Sequence, residues 1–187
     1  AGGSGYTGAE LLRLLSQHPN VQLTAVTSEK SAGTPVSAAY PPWKGIVPLT
    51  FEALAPEALA ERADVLFLAL PHTKSMGPVA SCMKAGKRVI DLSADFRIKD
   101  PRTYETWYQT AHACPHLIEN AVYGLPELHR SAIAQARLVA SPGCYPTAAI
   151  LQLAPLIAHS LIVPDTIVID AKSGVSGAGR SPALPYH

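Results

Sequence analysis

The chain has 187 residues, 48% of them hydrophobic and 16% charged, enough apolar material to bury a real core in one domain or in one domain plus part of a second. Fifteen Lys and Arg against fourteen Asp and Glu leave a formal net charge of +1 without a basic block, so nucleic acid is not indicated as a partner. Three cysteines without paired spacing speak against a disulfide framework and for a reducing compartment, and no apolar run approaches a membrane span.

No secretory leader is recognised at the front of the sequence. The chain starts without Met, directly inside a glycine-rich run, and reads as if cut at its front edge. That run, Gly2-Gly3-Ser4-Gly5-Tyr6-Thr7-Gly8, spaces glycines as GxxGxxG and leads into a helix whose apolar face is Leu11, Leu12, Leu14 and Leu15. Glycines at a helix start let the backbone approach a pyrophosphate, and the free N–H groups with the helix dipole hold it. A plain turn and cap is the competing reading. Residues 21–27 read as the next strand, completing most of a βαβ unit. It runs into Thr27-Ser28-Glu29-Lys30-Ser31, where Ser28, Lys30 and Ser31 suit a 2′-phosphate and Glu29 sits late for a ribose 2′-hydroxyl. NADP is therefore expected over NAD.

Residues 34–56, with Pro35, Pro41, Pro42 and Pro48, read as an irregular excursion. Residues 64–70 form a continuous apolar run, as in a buried parallel strand. A helix over 76–85 ending at Gly86 follows, then a strand over 87–92. The alternation predicts an α/β fold with an open, mostly parallel, doubly wound sheet of Rossmann type. Ligands in such sheets lie beyond the carboxyl ends of the strands, where Pro71-His72 and Ser93-Ala94-Asp95 fall. For His72 a loop-capping hydrogen bond competes with proton transfer. Residues 100–135 are aromatic-rich and partly helical. His112-Ala113-Cys114-Pro115-His116 looks like a metal clip, but the spacing and the lack of a fourth ligand read as a loop coincidence, and no metal is expected.

Residues 137–140 read as a short strand before Ser141-Pro142-Gly143-Cys144-Tyr145-Pro146-Thr147. Pro142-Gly143 forces a sharp turn, and Pro146 suits a first helical turn. Cys144 therefore points at unpaired N–H groups and the positive end of a helix dipole, which favour the nucleophilic thiolate. A small buried cysteine on a turn is the alternative. Residues 166–171 read as a strand opening a second sheet. They precede Lys172-Ser173-Gly174-Val175-Ser176-Gly177-Ala178-Gly179-Arg180, whose glycines and arginine suit an anion-binding nest, with a surface loop as the competing reading. A nicotinamide cofactor, a nucleophilic cysteine and an anion nest jointly fit reductive dephosphorylation of an acyl phosphate. The thiolate expels phosphate and leaves a thioester that hydride can reduce.

The glycine loop, Asp91-Leu92-Ser93-Ala94-Asp95-Phe96-Arg97, Tyr123-Gly124-Leu125-Pro126-Glu127, the cysteine turn and Ser173 to Arg180 occur in an order that resembles the N-acetyl-gamma-glutamyl-phosphate reductase family, which is related to the aspartate-semialdehyde dehydrogenases. The resemblance implies a cytoplasmic, oligomeric, NADPH-dependent enzyme of arginine biosynthesis that reduces N-acetylglutamyl phosphate to the semialdehyde. It implies a dinucleotide domain over 1–143 and the start of an α+β catalytic domain over 144–187. It makes Cys144 the thioacyl nucleophile and puts Gly2, Ser4, Gly5, Tyr6, Thr7 and Gly8 at the pyrophosphate. Ser28 and Lys30 fall near the 2′-phosphate, Ser93 near the nicotinamide, and Gly177 and Gly179 at the cofactor. Ser173, Gly174, Ser176 and Arg180 fall at substrate phosphate. The family's strand before the glycine loop and its later acid/base histidine are not in this sequence, and neither His72 nor His187 is assigned that role. Little or no turnover is therefore expected of the 187 residues alone. A reductase of the longer aminoadipyl phosphate and a non-catalytic dinucleotide-binding or redox-sensing module remain the alternatives.

Overall fold

A computed structural model of the chain describes residues 1–180, so His187 lies outside the described residues, as does the end of the expected catalytic segment. In chain order the elements are α1 (Tyr6–Leu15), β1 (Val26–Thr27), α2 (Val36–Ala39), β2 (Phe51–Glu52), α3 (Pro56–Glu61), β3 (Val65–Leu68) and α4 (Met76–Lys84). There follow β4 (Arg88–Asp91), α5 (Pro101–Tyr108), α6 (Pro115–Ile118), β5 (Ala121–Tyr123), α7 (Pro126–Gln135), β6 (Leu138–Ala140) and α8 (Cys144–Ala158). Short 3-10 turns occupy Pro41–Trp43, Pro164–Thr166 and Val175–Ala178.

Among the described residues the strand pairings are parallel, with one isolated antiparallel bridge between Pro35 and Thr50. The larger sheet has the order β3-β4-β6-β5, and β1 pairs with β2 in a second. Parallel neighbours need crossovers, and α4 between β3 and β4, like α7 between β5 and β6, supplies one. The strands can be apolar on both faces because helices cover them: all three residues of β6 are buried, and Leu66, Leu68, Val89 and Leu138 share a core with Val79, Cys82 and Tyr104. Local chemistry sets the helix ends. Asp100 caps α5 by accepting from the Arg102 and Thr103 N–H groups, worth about 1 kcal/mol, with Pro101 at the first helical position. Gly86 follows α4 at φ +81° and stops it.

The two sheets flank a groove of about 740 Å³ lined by Leu12, Leu15, Leu23, Val65 and Phe67 among others. The first residues bridge its end. The Ala1 nitrogen donates to the Phe67 carbonyl (2.6 Å) and the Ala1 carbonyl accepts from Ala69 N–H (3.0 Å), while Gly3 N–H donates to the Thr27 carbonyl (2.9 Å). The glycine loop is thereby fixed at the carboxyl ends of both β1 and β3.

Three sequence expectations change. The strand over 21–27 forms only at Val26–Thr27, because β2 offers a ladder to just those two residues and residues 21–25 border the groove. The strand over 166–171 does not form. Val168 and Ile169 are exposed, and among the described residues no strand pairs with them. The excursion over 34–56 is less irregular than expected, since Val36, Val47 and Phe51 build a second core with Leu12 and Val26, with Tyr40 and Trp43 packed against it.

Candidate active site

The glycine loop is shaped by its own packing and by something else. A Cβ on Gly2 would meet the Ala69 carbonyl oxygen at 2.2 Å, one on Gly3 the Val26 side chain at 2.3 Å, and one on Gly8 the Gly2 carbonyl at 2.4 Å. These three glycines bring α1 against β1 and β3. Gly5 differs, because a Cβ there would meet only the Gly2 carbonyl, at 3.8 Å. Gly5 is also the N-cap of α1 and offers no side-chain acceptor to the first-turn N–H groups. An open face above unpaired donors at the positive end of a ten-residue helix fits a dinucleotide pyrophosphate. Ser4 Oγ and Ser28 Oγ share a hydrogen bond (2.7 Å), which joins the loop to the end of β1. Tyr6, Thr7 and Lys30 are exposed beside them.

The ends of β3 and β4 are joined by a buried polar cluster. Asp95 is fully buried, and its carboxylate accepts from Thr73 N–H (2.7 Å), Ser75 N–H (2.9 Å) and the Tyr104 hydroxyl (2.9 Å). Asp91, equally buried, accepts from the Ser75 hydroxyl (2.6 Å), Ser93 N–H (3.1 Å) and the Ser93 hydroxyl (2.7 Å). Burial pushes the Asp91 carboxyl up, against the pull of those hydrogen bonds. Burial, reinforced by the Asp95 carboxylate, raises the Tyr104 phenol. His112 Nδ1 accepts from Cys114 N–H (3.1 Å), so its proton sits on Nε2 and is donated to the Asp95 carbonyl (2.7 Å). His72 Nδ1 accepts from Ala94 N–H (3.0 Å), a capping bond between the two loops.

The cysteine turn lies one strand further on. Ser141 N–H donates to the Asp91 carbonyl (2.8 Å), Gly143 caps α8 without a side-chain acceptor, and Cys144 is the first residue of α8. Its thiol is exposed, whereas Cys82 and Cys114 are buried with thiols that burial pushes up. Arg97 reaches under the turn, its Nε donating to the Ser141 carbonyl (2.6 Å) and one terminal nitrogen to the Leu92 carbonyl (2.7 Å). Its other terminal nitrogen would lie 3.1 Å from a Cβ on Gly143, so the glycine admits the guanidinium beside Cys144. The sheet thus gathers an exposed thiol, a helix N-terminus and a permanent positive charge.

Residues 173–180 are exposed throughout. Arg180, expected at substrate phosphate, instead donates to the Ser4 carbonyl (3.1 Å) and lies over the Tyr40 ring, 5.2 Å from its centroid, on the glycine loop. Ser93, expected near the nicotinamide, is fully buried. Its hydroxyl bonds Asp91 and accepts from Asp95 N–H (3.0 Å), so its side chain positions the loop. Among the described residues no group of three His, Cys, Asp or Glu could hold a metal, and His112 and Cys114 N–H are bonded to each other.

Residues 1–136 match the family described as semialdehyde dehydrogenase, NAD binding domain, and residues 144–187 match its dimerisation domain. The chain belongs to the semialdehyde dehydrogenase family. It is 54% identical over 183 residues to the N-acetyl-gamma-glutamyl-phosphate reductase of Nitrosococcus oceani, covering 98% of this chain and 53% of that protein. It is 57% identical over 180 residues to the protein of the same name from Geotalea daltonii, covering 96% and 52%. The chain spans about half the length of the curated relatives it matches. The crystal structure of aspartate semialdehyde dehydrogenase with NADP from Candida albicans superposes with a TM-score of 0.60 at 18% identity, over 84% of this chain and 45% of that one, and shares the α/β fold. Among the described residues no helix is long and apolar enough to cross a membrane.

For a member of this family the sequence reading found the thiol and the glycine loop but missed what holds them. Arg97 sat inside a recognised motif and was given no role of its own. The available signal is an arginine in the loop six residues past the apolar strand β4. The Asp91–Ser75–Asp95–Tyr104 cluster carried a weaker one: two aspartates four residues apart within an apolar stretch, which cannot be buried without donors.

Proposed function

We propose that this chain is the dinucleotide-binding and thiol-bearing part of an NADPH-dependent N-acetyl-gamma-glutamyl-phosphate reductase, cytoplasmic and oligomeric. Its residues 1–143 form the cofactor domain, and the catalytic domain starts at Cys144. The observation that carries the reading is the exposed Cys144 at the start of α8, with Arg97 beneath it. The relatives' names support acetylglutamyl phosphate over the longer aminoadipyl phosphate.

The Cys144 thiolate attacks the acyl carbon of the acyl phosphate, a mixed anhydride; a C–S bond forms, the C–O bond to phosphate breaks, and phosphate departs with the bonding pair. The helix N-terminus stabilises the thiolate, and Arg97 stabilises charge that develops beside Gly143. Hydride is the chemistry that a bound NADPH supplies. Gly2 to Gly8 would hold its pyrophosphate, and Ser28 and Lys30 would hold its 2′-phosphate. The open face at Gly5 fits the pyrophosphate. The Asp91–Asp95 cluster keeps the loops after β3 and β4 in register with the cysteine turn.

The test uses the protein at the length of its relatives. Replacing Cys144 by Ser is expected to cut phosphate-dependent NADP reduction by N-acetylglutamate semialdehyde by about 10³-fold or more. Near-normal activity would overturn the thioester mechanism.

A further inference from the structure

Thr73 is a β-branched residue at φ +68°, in the left-handed region that such side chains avoid. It sits in the loop that leaves β3, and Asp95 holds it there. The buried carboxylate accepts from the N–H groups of Thr73 (2.7 Å) and Ser75 (2.9 Å), one on each side of Lys74. A strained turn pinned from beneath fixes the direction of the residue before it, and that residue is His72.

The His72 ring is held at one nitrogen and against one neighbour. Its Nδ1 accepts from Ala94 N–H (3.0 Å), in the loop after β4, and the Tyr108 ring stands edge-on to it with centroids 5.8 Å apart. Tyr108 is stacked at 4.7 Å on the buried Tyr104, whose hydroxyl donates to Asp95. One carboxylate therefore supports both the strained turn and the aromatic seat. An Nδ1 that accepts leaves the proton of the neutral ring on Nε2. His72 is exposed, and among the described residues its Nε2–H has no partner.

Strand order sets where that donor stands. Along the carboxyl edge come the end of β1 with Ser28, the glycine loop bonded to β1 and β3, the loop after β3, the loop after β4, and the cysteine turn after β6. From the glycine loop to β6 is three strand spacings of about 4.8 Å, roughly 14 Å in all. A dinucleotide that has its pyrophosphate at Gly5 and its nicotinamide at Cys144 crosses the ends of β3 and β4. His72 joins those two ends.

We propose that His72 is a ligand for the nicotinamide nucleoside half of the cofactor, its Nε2–H donating to an oxygen there, of the carboxamide or of the ribose. This rests on the dinucleotide reading and extends it to the half that carries the hydride. His72 transfers no proton in this role. The bond to Ala94 fixes the tautomer and the ring direction together, so the loop contact aims the donor.

The test compares three probes by calorimetry on the protein at the length of its relatives. NADPH is the whole cofactor, 2′-phospho-ADP-ribose lacks the nicotinamide base, and adenosine 2′,5′-bisphosphate ends at the first phosphate of the bridge. His72→Asn keeps an acceptor near the place of Nδ1 and removes the Nε2 donor, whereas His72→Gln keeps an N–H near the place of Nε2. His72→Asn is expected to hold the thermal midpoint, to weaken NADPH about fivefold and to leave the bisphosphate unchanged. His72→Gln is expected to lower the midpoint and yet to bind NADPH more tightly than His72→Asn does. Loss of 2′-phospho-ADP-ribose affinity alongside NADPH would support a bond to the ribose, and loss of NADPH alone a bond to the carboxamide. Unchanged NADPH affinity in a stable His72→Asn variant would overturn the inference and leave the dinucleotide reading standing. An equal loss for the bisphosphate would also overturn it, because that probe stops short of the loop after β3. Failure of the parent protein to bind both NADPH and the bisphosphate would remove the dinucleotide reading and this ligand with it.

Discussion

Two glycine-rich segments look alike in the sequence and are physically opposite in the fold. Gly2, Gly3 and Gly8 would each put a Cβ within 2.4 Å of another atom, and α1 sits on the ends of β1 and β3 only because those atoms are absent. Gly174 and Gly179 would meet nothing within 4 Å. In the first segment glycine is a packing residue; in the second Gly174 and Gly179 are at most conformational ones, and a Cβ on Gly177 would meet only the Ser173 Oγ, at 2.8 Å. The first loop therefore presents backbone, whereas the second reaches it through the side chain of Arg180.

Gly8→Ala should give the largest effect. Its Cβ would fall 2.4 Å from the Gly2 carbonyl and 2.6 Å from the Gly3 Cα, all backbone, so α1 must shift away from the loop. A loss of about 2–4 kcal/mol is expected, lowering the thermal midpoint by about 5–15 °C. A midpoint unchanged within error would mean that the close approach is not needed.

Gly5→Ala separates packing from binding inside the same loop. Gly5 has φ −81° and ψ 170°, and its Cβ would make one ordinary contact, so stability should move by no more than about 0.5 kcal/mol. The new methyl stands on the open face, and NADPH should bind about tenfold more weakly or worse. Full affinity in a stable variant would place the pyrophosphate elsewhere.

Gly143 lies between the two extremes. Its Cβ would meet the far end of Arg97 at 3.1 Å and the Pro146 ring at 3.4 Å, and its φ of −75° suits any residue. Arg97 must give way by a few tenths of an ångström while keeping its bonds to Ser141 and Leu92. Gly143→Ala should cost about 1 kcal/mol and slow alkylation of Cys144, the one exposed thiol of the three. An unchanged alkylation rate would detach Arg97 from the thiol's environment.

How much of this was legible follows from what each feature depends on. The strands near 65–68, 88–91 and 138–140, the stop at Gly86 and the cysteine at a helix start are local events, and apolar runs, a glycine and Pro142-Gly143 announce them. The strand at Ala121–Tyr123 was missed because three residues between Asn120 and Gly124 carry too little periodicity, although Val122 and Tyr123 are strand formers. The strand over 166–171 was legible but unfulfilled, since a strand needs a partner. Tyr40 and the destination of Arg180 could not be read at all, because their contacts span 35 to 176 residues and follow from how the excursion folds back onto the loop.

The smallest effects should come from the second segment, and they distinguish its two roles. Gly174 has φ −76° and open space, so Gly174→Ala should leave stability and NADPH binding unchanged. Gly179 has φ +97° and ψ −174°, a region that side chains avoid at a cost of about 1–3 kcal/mol. Because residues 173–180 are exposed, the backbone there can relax, and most of that strain should appear as a displaced Arg180. Gly179→Ala is then expected to break the Arg180 bond to the Ser4 carbonyl with little change in thermal midpoint. A backbone nest would instead depend on the whole run of N–H groups, and Gly174→Ala would weaken anion binding as much as Gly179→Ala does. Equal losses at the two positions would therefore erase the contrast between the segments.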